Sequence, residues 1–167
     1  FNDVKVPKEN LLGEEGMGFI YLMRELPQER LSIAVSAMAS CEAVIEQTVN
    51  YVKERKAFGK SIAEFQNTQF TLAHLQAEVT SMRVFIDRCA ELLLEKELTT
   101  VDASKAKLLA TELQGKVADQ CVQLHGGYGY MWEYPVTRAY ADARIQRIYG
   151  GTSEVMKLII GRDLLSD

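Results

Sequence analysis

From residue 27 onward, apolar residues recur at steps of three and four, which gathers them on one face of an α-helix. Between Pro27, suited to a first helical turn, and about Lys56 the stripe is Leu31, Ala34, Met38, Cys41, Ile45, Thr48 and Val52. A shorter helix is predicted before it, from Gly16 to Arg24. The stretch AFGKSIAEF then interrupts the pattern at Gly59. A second long helix is predicted from about Gln66 to Lys96, with Phe70, Ala73, Ala77, Met82, Phe85, Cys89 and Leu92 facing inward. Thr100 is placed to cap a third, Val101 to Leu124, carrying Ala106, Leu109, Leu113, Val117, Cys121 and Leu124. HGGYGYMWEYP breaks it, Pro135 opens a shorter helix to about Arg144, and Ser153 starts the last. Helices of about 25 to 30 residues reach roughly 40–45 Å and, joined by short links, pack antiparallel. The predicted fold is all-α, an up-and-down four-helix bundle with additional short helices.

The opening follows a different rule. Phe1, Val4 and Val6 alternate as at the end of a strand, and Pro7 and Gly13 mark a loop. Because there is no initiating Met, this start predicts a piece of a longer polypeptide.

Composition narrows the function classes. The 167 residues suffice for one domain with a core, 47% are apolar and 25% charged, and the net charge is −4. A mildly acidic chain gives no electrostatic reason to expect a nucleic-acid partner. Charged residues interrupt every apolar run before membrane-spanning length, and no secretory signal is present. Cys41, Cys89 and Cys121 lie far apart on apolar helix faces, the pattern of buried, reduced thiols. A di-iron site in a bundle needs Glu-x-x-His pairs, and neither His74 nor His125 follows a Glu at that spacing, so no metal site is expected. No nucleophile elbow, P-loop or dinucleotide fingerprint occurs.

Four stretches remain: ELPQERL (25–31), ERKAFGKSIAEFQ (54–66), QLHGGYGY (123–130) and YGGTSE (149–154). Singly, each has an ordinary structural explanation. Arg55 suits a helix C-terminus, the glycines of QLHGG suit a C-cap, and Thr152 or Ser153 suits an N-cap. A glycine turn before a helix also leaves backbone N–H groups free for an anion or a polarised carbonyl. In this order and on these helices, the four stretches resemble the C-terminal helical domain of the acyl-CoA dehydrogenases, and the resemblance covers nearly the whole chain. Their surroundings most resemble the long-chain type.

The resemblance implies an FAD enzyme that oxidises acyl-CoA thioesters to trans-2-enoyl-CoA and passes electrons to electron-transfer flavoprotein. It implies that residues 1–15 end a β domain and its linker, and that 16–167 form the helical bundle domain. Arg55 then meets the FAD pyrophosphate, with Phe58 packing nearby and Gln66 contacting the cofactor. Gln123, Leu124, His125, Gly126 and Gly127 match the backbone that approaches FAD across a subunit interface. Thr152, Ser153 and Glu154 match positions facing the flavin.

Removal of the weakly acidic α-proton of the thioester needs a carboxylate, with hydrogen bonds polarising the thioester carbonyl. Many members keep that Glu directly after the Tyr of the turn, where this chain has Gly150. Other members carry it on the first long helix, which here is Glu29, followed by Arg30. Glu29 is expected near that helix's N-terminus, where the macrodipole favours a carboxylate. An ordinary first-turn Glu is the alternative reading, and Glu25 is a rival base outside the aligned position. By resemblance, Arg30 lies near bound acyl-CoA, and Gly150 and Gly151 face the substrate, the Gly150 amide donating to its carbonyl. Pro27 replaces an Asp found there in the isovaleryl type. Two alternatives stand beside the dehydrogenase: an acyl-CoA oxidase, and a helical oligomerisation module without chemistry. The resemblance further implies a homo-oligomer, no flavin on the isolated piece, and a mitochondrial matrix or bacterial cytoplasmic location.

Overall fold

The computed structural model describes residues 1–166. Three long helices form the body: α1 (Gly18–Glu54), α2 (Gln66–Leu94) and α3 (Thr100–His125), followed by α4 (Pro135–Gln146) and α5 (Ser153–Leu164). The Arg30 guanidinium meets Ser104 and the Tyr51 hydroxyl meets the His125 carbonyl, so α1 and α3 run in the same direction. Glu78 pairs with Lys116 of α3 while Cys89, further along α2, lies near Asp102 at the start of α3, which sets α2 antiparallel to α3 and so to α1; Glu42 of α1 pairs with Arg83.

The predicted α1 stripe is buried at every position, joined by Arg30, Ala37 and Val44. Ala34, Ala37, Ala106 and Ala110 are fully buried in the shared core, and such small side chains let α1 and α3 approach closely. Leu75, Val79, Ile86 and Cys89 bring α2 onto the same core. All three cysteines are buried free thiols, and burial, then Cys121 and Glu42, push Cys41 up to about 12.

Four expectations change. There is no break between Arg24 and Pro27: α1 runs through Pro27, so the two predicted helices are one of 37 residues. The pyrrolidine ring removes one hydrogen bond near the start, and packing of the following stripe offsets that loss. In α2 the buried positions are Thr68, Leu75, Val79, Ile86 and Cys89, while Phe70, Ala73 and Ala77 face solvent, so the inner stripe of its first half is rotated from the predicted one. Thr99, not Thr100, caps α3, its hydroxyl accepting from the Asp102 N–H. Residues 1–6 are exposed and pair with no strand among the described residues, because a strand forms only against a hydrogen-bonding edge.

The α1–α2 link is a miniature hairpin, β1 (Lys56–Ala57) with β2 (Lys60–Ser61). Its two turn residues, Phe58 and Gly59, both have positive φ, at 51° and 83°. That is the turn whose twist matches paired strands, and it holds Phe58 in a conformation that non-glycine residues rarely adopt.

Candidate functional site

The turn between α4 and α5 is built by its neighbours. Gly150 and Gly151 have φ of 64° and 107°. Arg30 Nε of α1 donates to the Gly150 carbonyl at 3.2 Å, and Lys107 Nζ of α3 donates to the Gly151 carbonyl at 2.6 Å. Burial lowers the pKa of both cations, and the neighbouring Arg30 charge lowers that of Lys107 further. Thr152 caps α5, its hydroxyl accepting from the Val155 N–H. Ser153 turns inward, donating at 2.6 Å to a Glu112 carboxylate that also accepts from Arg147 at 3.0 Å. Burial pushes the Glu112 carboxyl up, but these two hydrogen bonds, with the Arg147 and Lys157 charges, together outweigh it and its pKa is lowered. With both glycine carbonyls drawn inward, the N–H groups of Gly151 and Thr152 turn away from them, and these two, like the Gly150 N–H of the preceding peptide, donate to nothing among the described residues. Three successive free N–H groups at a turn form a concavity that suits an anion or a polarised oxygen.

Glu29 lines a shallow cleft of about 430 Å³ on α1 with Glu25, Gln28, Ser32 and Ile33. A Cβ built on Gly150 would come within 2.6 Å of Ile33 Cδ1. Ile33 is one helical turn from Glu29, so the missing side chain at 150 points at the wall of the Glu29 cleft. Glu25 lies a full turn further away. Glu29 is not at a helix terminus: it lies about three turns inside α1. The expected macrodipole contribution is therefore absent, because that effect fades within the first turn.

A second cluster forms at the C-terminal end of α1. Tyr51, Arg55, Ile62, Gln123–Gly127 and Tyr128 line a cleft of about 590 Å³. Arg55 lies 5.3 Å over the Tyr128 ring and makes no ion pair among the described residues. The Tyr51 ring stacks on His125 at 4.1 Å, and its hydroxyl donates to the His125 carbonyl at 3.1 Å. His125 Nδ1 donates to the Cys121 carbonyl at 2.8 Å, and burial lowers its pKa, so the ring is a neutral prop for the loop. A Cβ on Gly126 or Gly127 would meet nothing within 4 Å, whereas one on Gly129 would strike the Val122 carbonyl. An unpaired cation beside open glycine backbone fits an anionic cofactor that lies against the loop.

The residues singled out from sequence thus fall into two groups. Arg30, Gly150 and Gly151 come together, with Glu29 one helical turn from the Ile33 that faces Gly150, and Arg55 comes together with residues 123–127. Phe58 and Gln66 line neither cleft: Phe58 is almost wholly exposed on its hairpin and Gln66 opens α2. Thr152, Ser153 and Glu154 border a small depression with Glu112, Arg144 and Arg147. Sequence reasoning missed Lys107, Ser104 and Glu112. A signal was available, since Ser104, Lys107, Thr111 and Gln114 repeat at helical spacing and are all buried.

The family model for the acyl-CoA dehydrogenase C-terminal domain matches residues 16–165. The chain belongs to this family. The long-chain specific acyl-CoA dehydrogenase of Rattus norvegicus mitochondria is 56% identical over 167 residues, covering 100% of this chain and 39% of the relative. The caffeyl-CoA reductase-Etf complex subunit CarC of Acetobacterium woodii is 40% identical, covering 98% of this chain and 43% of the relative. The crystal structure of an acyl-CoA dehydrogenase from Geobacillus kaustophilus superposes with a TM-score of 0.95 at 48% identity, over 99% of this chain and 44% of that one. The helical fold is therefore that of the acyl-CoA dehydrogenase C-terminal domain. The chain spans about two fifths of the length of these relatives. No described helix is long and apolar enough to cross a membrane.

Proposed function

We propose that the chain is the C-terminal helical domain of an FAD-dependent acyl-CoA dehydrogenase in which Glu29 takes the α-proton. Residues 1–15 then lead in from a β domain, in keeping with a family match that begins at residue 16. The observation that carries the base assignment is the direction of the absent side chain at 150, towards Ile33 and the Glu29 cleft. A carboxylate carried at 150 would be aimed at this wall, and of the two carboxylates lining the cleft Glu29 is the one a single helical turn from Ile33.

In this reading the Gly150 N–H donates to the thioester carbonyl, which stabilises the negative charge that develops as the proton leaves. Arg30 is buried and bound to the Gly150 carbonyl, so its part is to hold the turn. Bound FAD supplies the hydride acceptor. Arg55 meets its pyrophosphate, and the Gln123–Gly127 backbone lies against it. Phe58 and Gln66 approach from the hairpin side, and Thr152 to Glu154 lie near the flavin.

Arg55 follows Arg30 by 25 residues, which is about 37 Å along α1. The flavin ring and the pyrophosphate of one FAD are joined by the short ribityl chain. The two clusters of one chain therefore serve two cofactors, each site being completed by another copy, which supports a homo-oligomer. The Acetobacterium relative, named as part of an Etf complex, supports electron-transfer flavoprotein as the acceptor. A mitochondrial or bacterial cytoplasmic location accords with the relatives.

Glu29→Gln in the FAD-loaded enzyme is expected to retain flavin and bind acyl-CoA but to lose flavin reduction. Normal reduction in that variant would refute the base assignment. Slow reoxidation of the reduced enzyme by oxygen in stopped flow is expected, and rapid reoxidation would favour an oxidase.

A further inference from the structure

Lys107 is the largest side chain wholly shut from solvent among the described residues, and the proton transfer proposed above does not use it. Burying an ammonium is costly, and an apolar residue of its volume often packs as well or better. Its position therefore has to be explained by what it holds. Its one hydrogen bond is the short, charge-assisted one to the Gly151 carbonyl.

Two consecutive glycines have more accessible conformations than any other pair, so this turn has no intrinsic reason to keep one setting. Three contacts impose one. Arg30 holds the Gly150 carbonyl from α1, Lys107 holds the Gly151 carbonyl from α3, and Glu112, further along α3, holds the Ser153 hydroxyl. A trans peptide points its N–H opposite to its carbonyl. Drawing the Gly150 carbonyl inward turns the Gly151 N–H outward, and drawing the Gly151 carbonyl inward does the same for Thr152.

We propose that Lys107 is a positioning residue: by holding the Gly151 carbonyl it turns the Thr152 N–H outward and fixes the two-glycine turn, and through that backbone the setting from which the Gly150 N–H, part of the Tyr149 peptide, faces the reacting thioester. This rests on the reading that the Gly150 N–H polarises an acyl-CoA thioester. Lys107 touches neither substrate nor cofactor, and its effect passes entirely through the turn.

The test uses the FAD-loaded enzyme with Glu29→Gln, which keeps acyl-CoA unreacted, and reads the infrared C=O stretch of bound acyl-CoA labelled with carbon-13 at the thioester carbonyl. With Lys107 present, binding is expected to lower that frequency. If no shift occurs, the thioester reading itself fails. If the shift occurs, Lys107→Met is expected to remove at least half of it, with FAD content and melting temperature retained. Lys107→Gln, which keeps a neutral donor, is expected to restore part of it. In the enzyme with Glu29 intact, Lys107→Met is expected to slow flavin reduction about 10- to 100-fold, the scale of a misplacement near 1 Å. An undiminished shift in Lys107→Met overturns the proposal, as does a fall in melting temperature with no change in shift. If Lys107→Met does not fold, the comparison is carried by Lys107→Leu, which also lacks a donor and for which a shift equal to that of the parent is the refuting result.

Discussion

Gly127→Ala separates a glycine kept for the fold from one kept for a ligand. The three glycines of HGGYG differ in what a side chain would meet. At Gly129 a Cβ runs into the Val122 backbone carbonyl, which cannot move without breaking into α3. Gly126 has a φ of 60°, so any other residue there is strained. Gly127 has neither constraint: its φ lies outside the left-handed region, and nothing of the chain comes within 4 Å of a Cβ there. Alanine at 127 is therefore expected to leave stability unchanged or to raise it by up to about 1 kcal/mol, through a less flexible unfolded chain. If the cleft borders FAD, the added methyl holds the cofactor off. Affinity is then expected to fall about tenfold or more, which is about 1.4 kcal/mol. Titration of the apoenzyme with FAD, followed by flavin fluorescence, reads the affinity, and thermal denaturation of the same sample reads the stability. Unchanged affinity together with unchanged stability would refute the placement of FAD against this loop.

Gly129→Ala is the matching control and is expected to destabilise the protein by about 1–3 kcal/mol, seen as a lower denaturation midpoint. Leu75→Ala, at a position only 1% exposed, is expected to cost about 2–5 kcal/mol in the same assay, and a loss under 1 kcal/mol would mean that α2 docks loosely. Burial holds His125 below its ordinary 6.5, so the unfolded chain binds the proton first as pH falls and stability drops through that range. The wild-type melting temperature is expected to fall from about pH 7 to about pH 5.5, and His125→Asn to fall less; equal slopes would show that His125 is not the titrating group.

The helices, the buried α1 stripe and the family were legible in the chain because each depends on local spacing. A three-and-four repeat states which face of a helix is buried, and Thr152 beside a glycine turn states where α5 begins. Errors arose where two elements compete for one segment. Pro27 reads locally as a start, yet the packed stripe that follows carries α1 through it. Phe70 reads as core, yet the rotation of α2 is chosen by Leu75, Val79 and Ile86 against α1 and α3.

The candidate site shows the same division. Glu29, Arg55 and the glycines could be picked out by residue type and order, since their chemistry is a property of each residue. Their grouping into two clusters, one inside α1 and one at its C-terminal end, could not be. Lys107 was passed over because a lysine among apolar residues reads as solvent-facing, and only the packed bundle reveals the Gly151 carbonyl waiting for it. Sequence by itself determined which residues have the chemistry. The tertiary structure decided which of them meet, because α1, α3 and the α4–α5 turn come together only when the core closes.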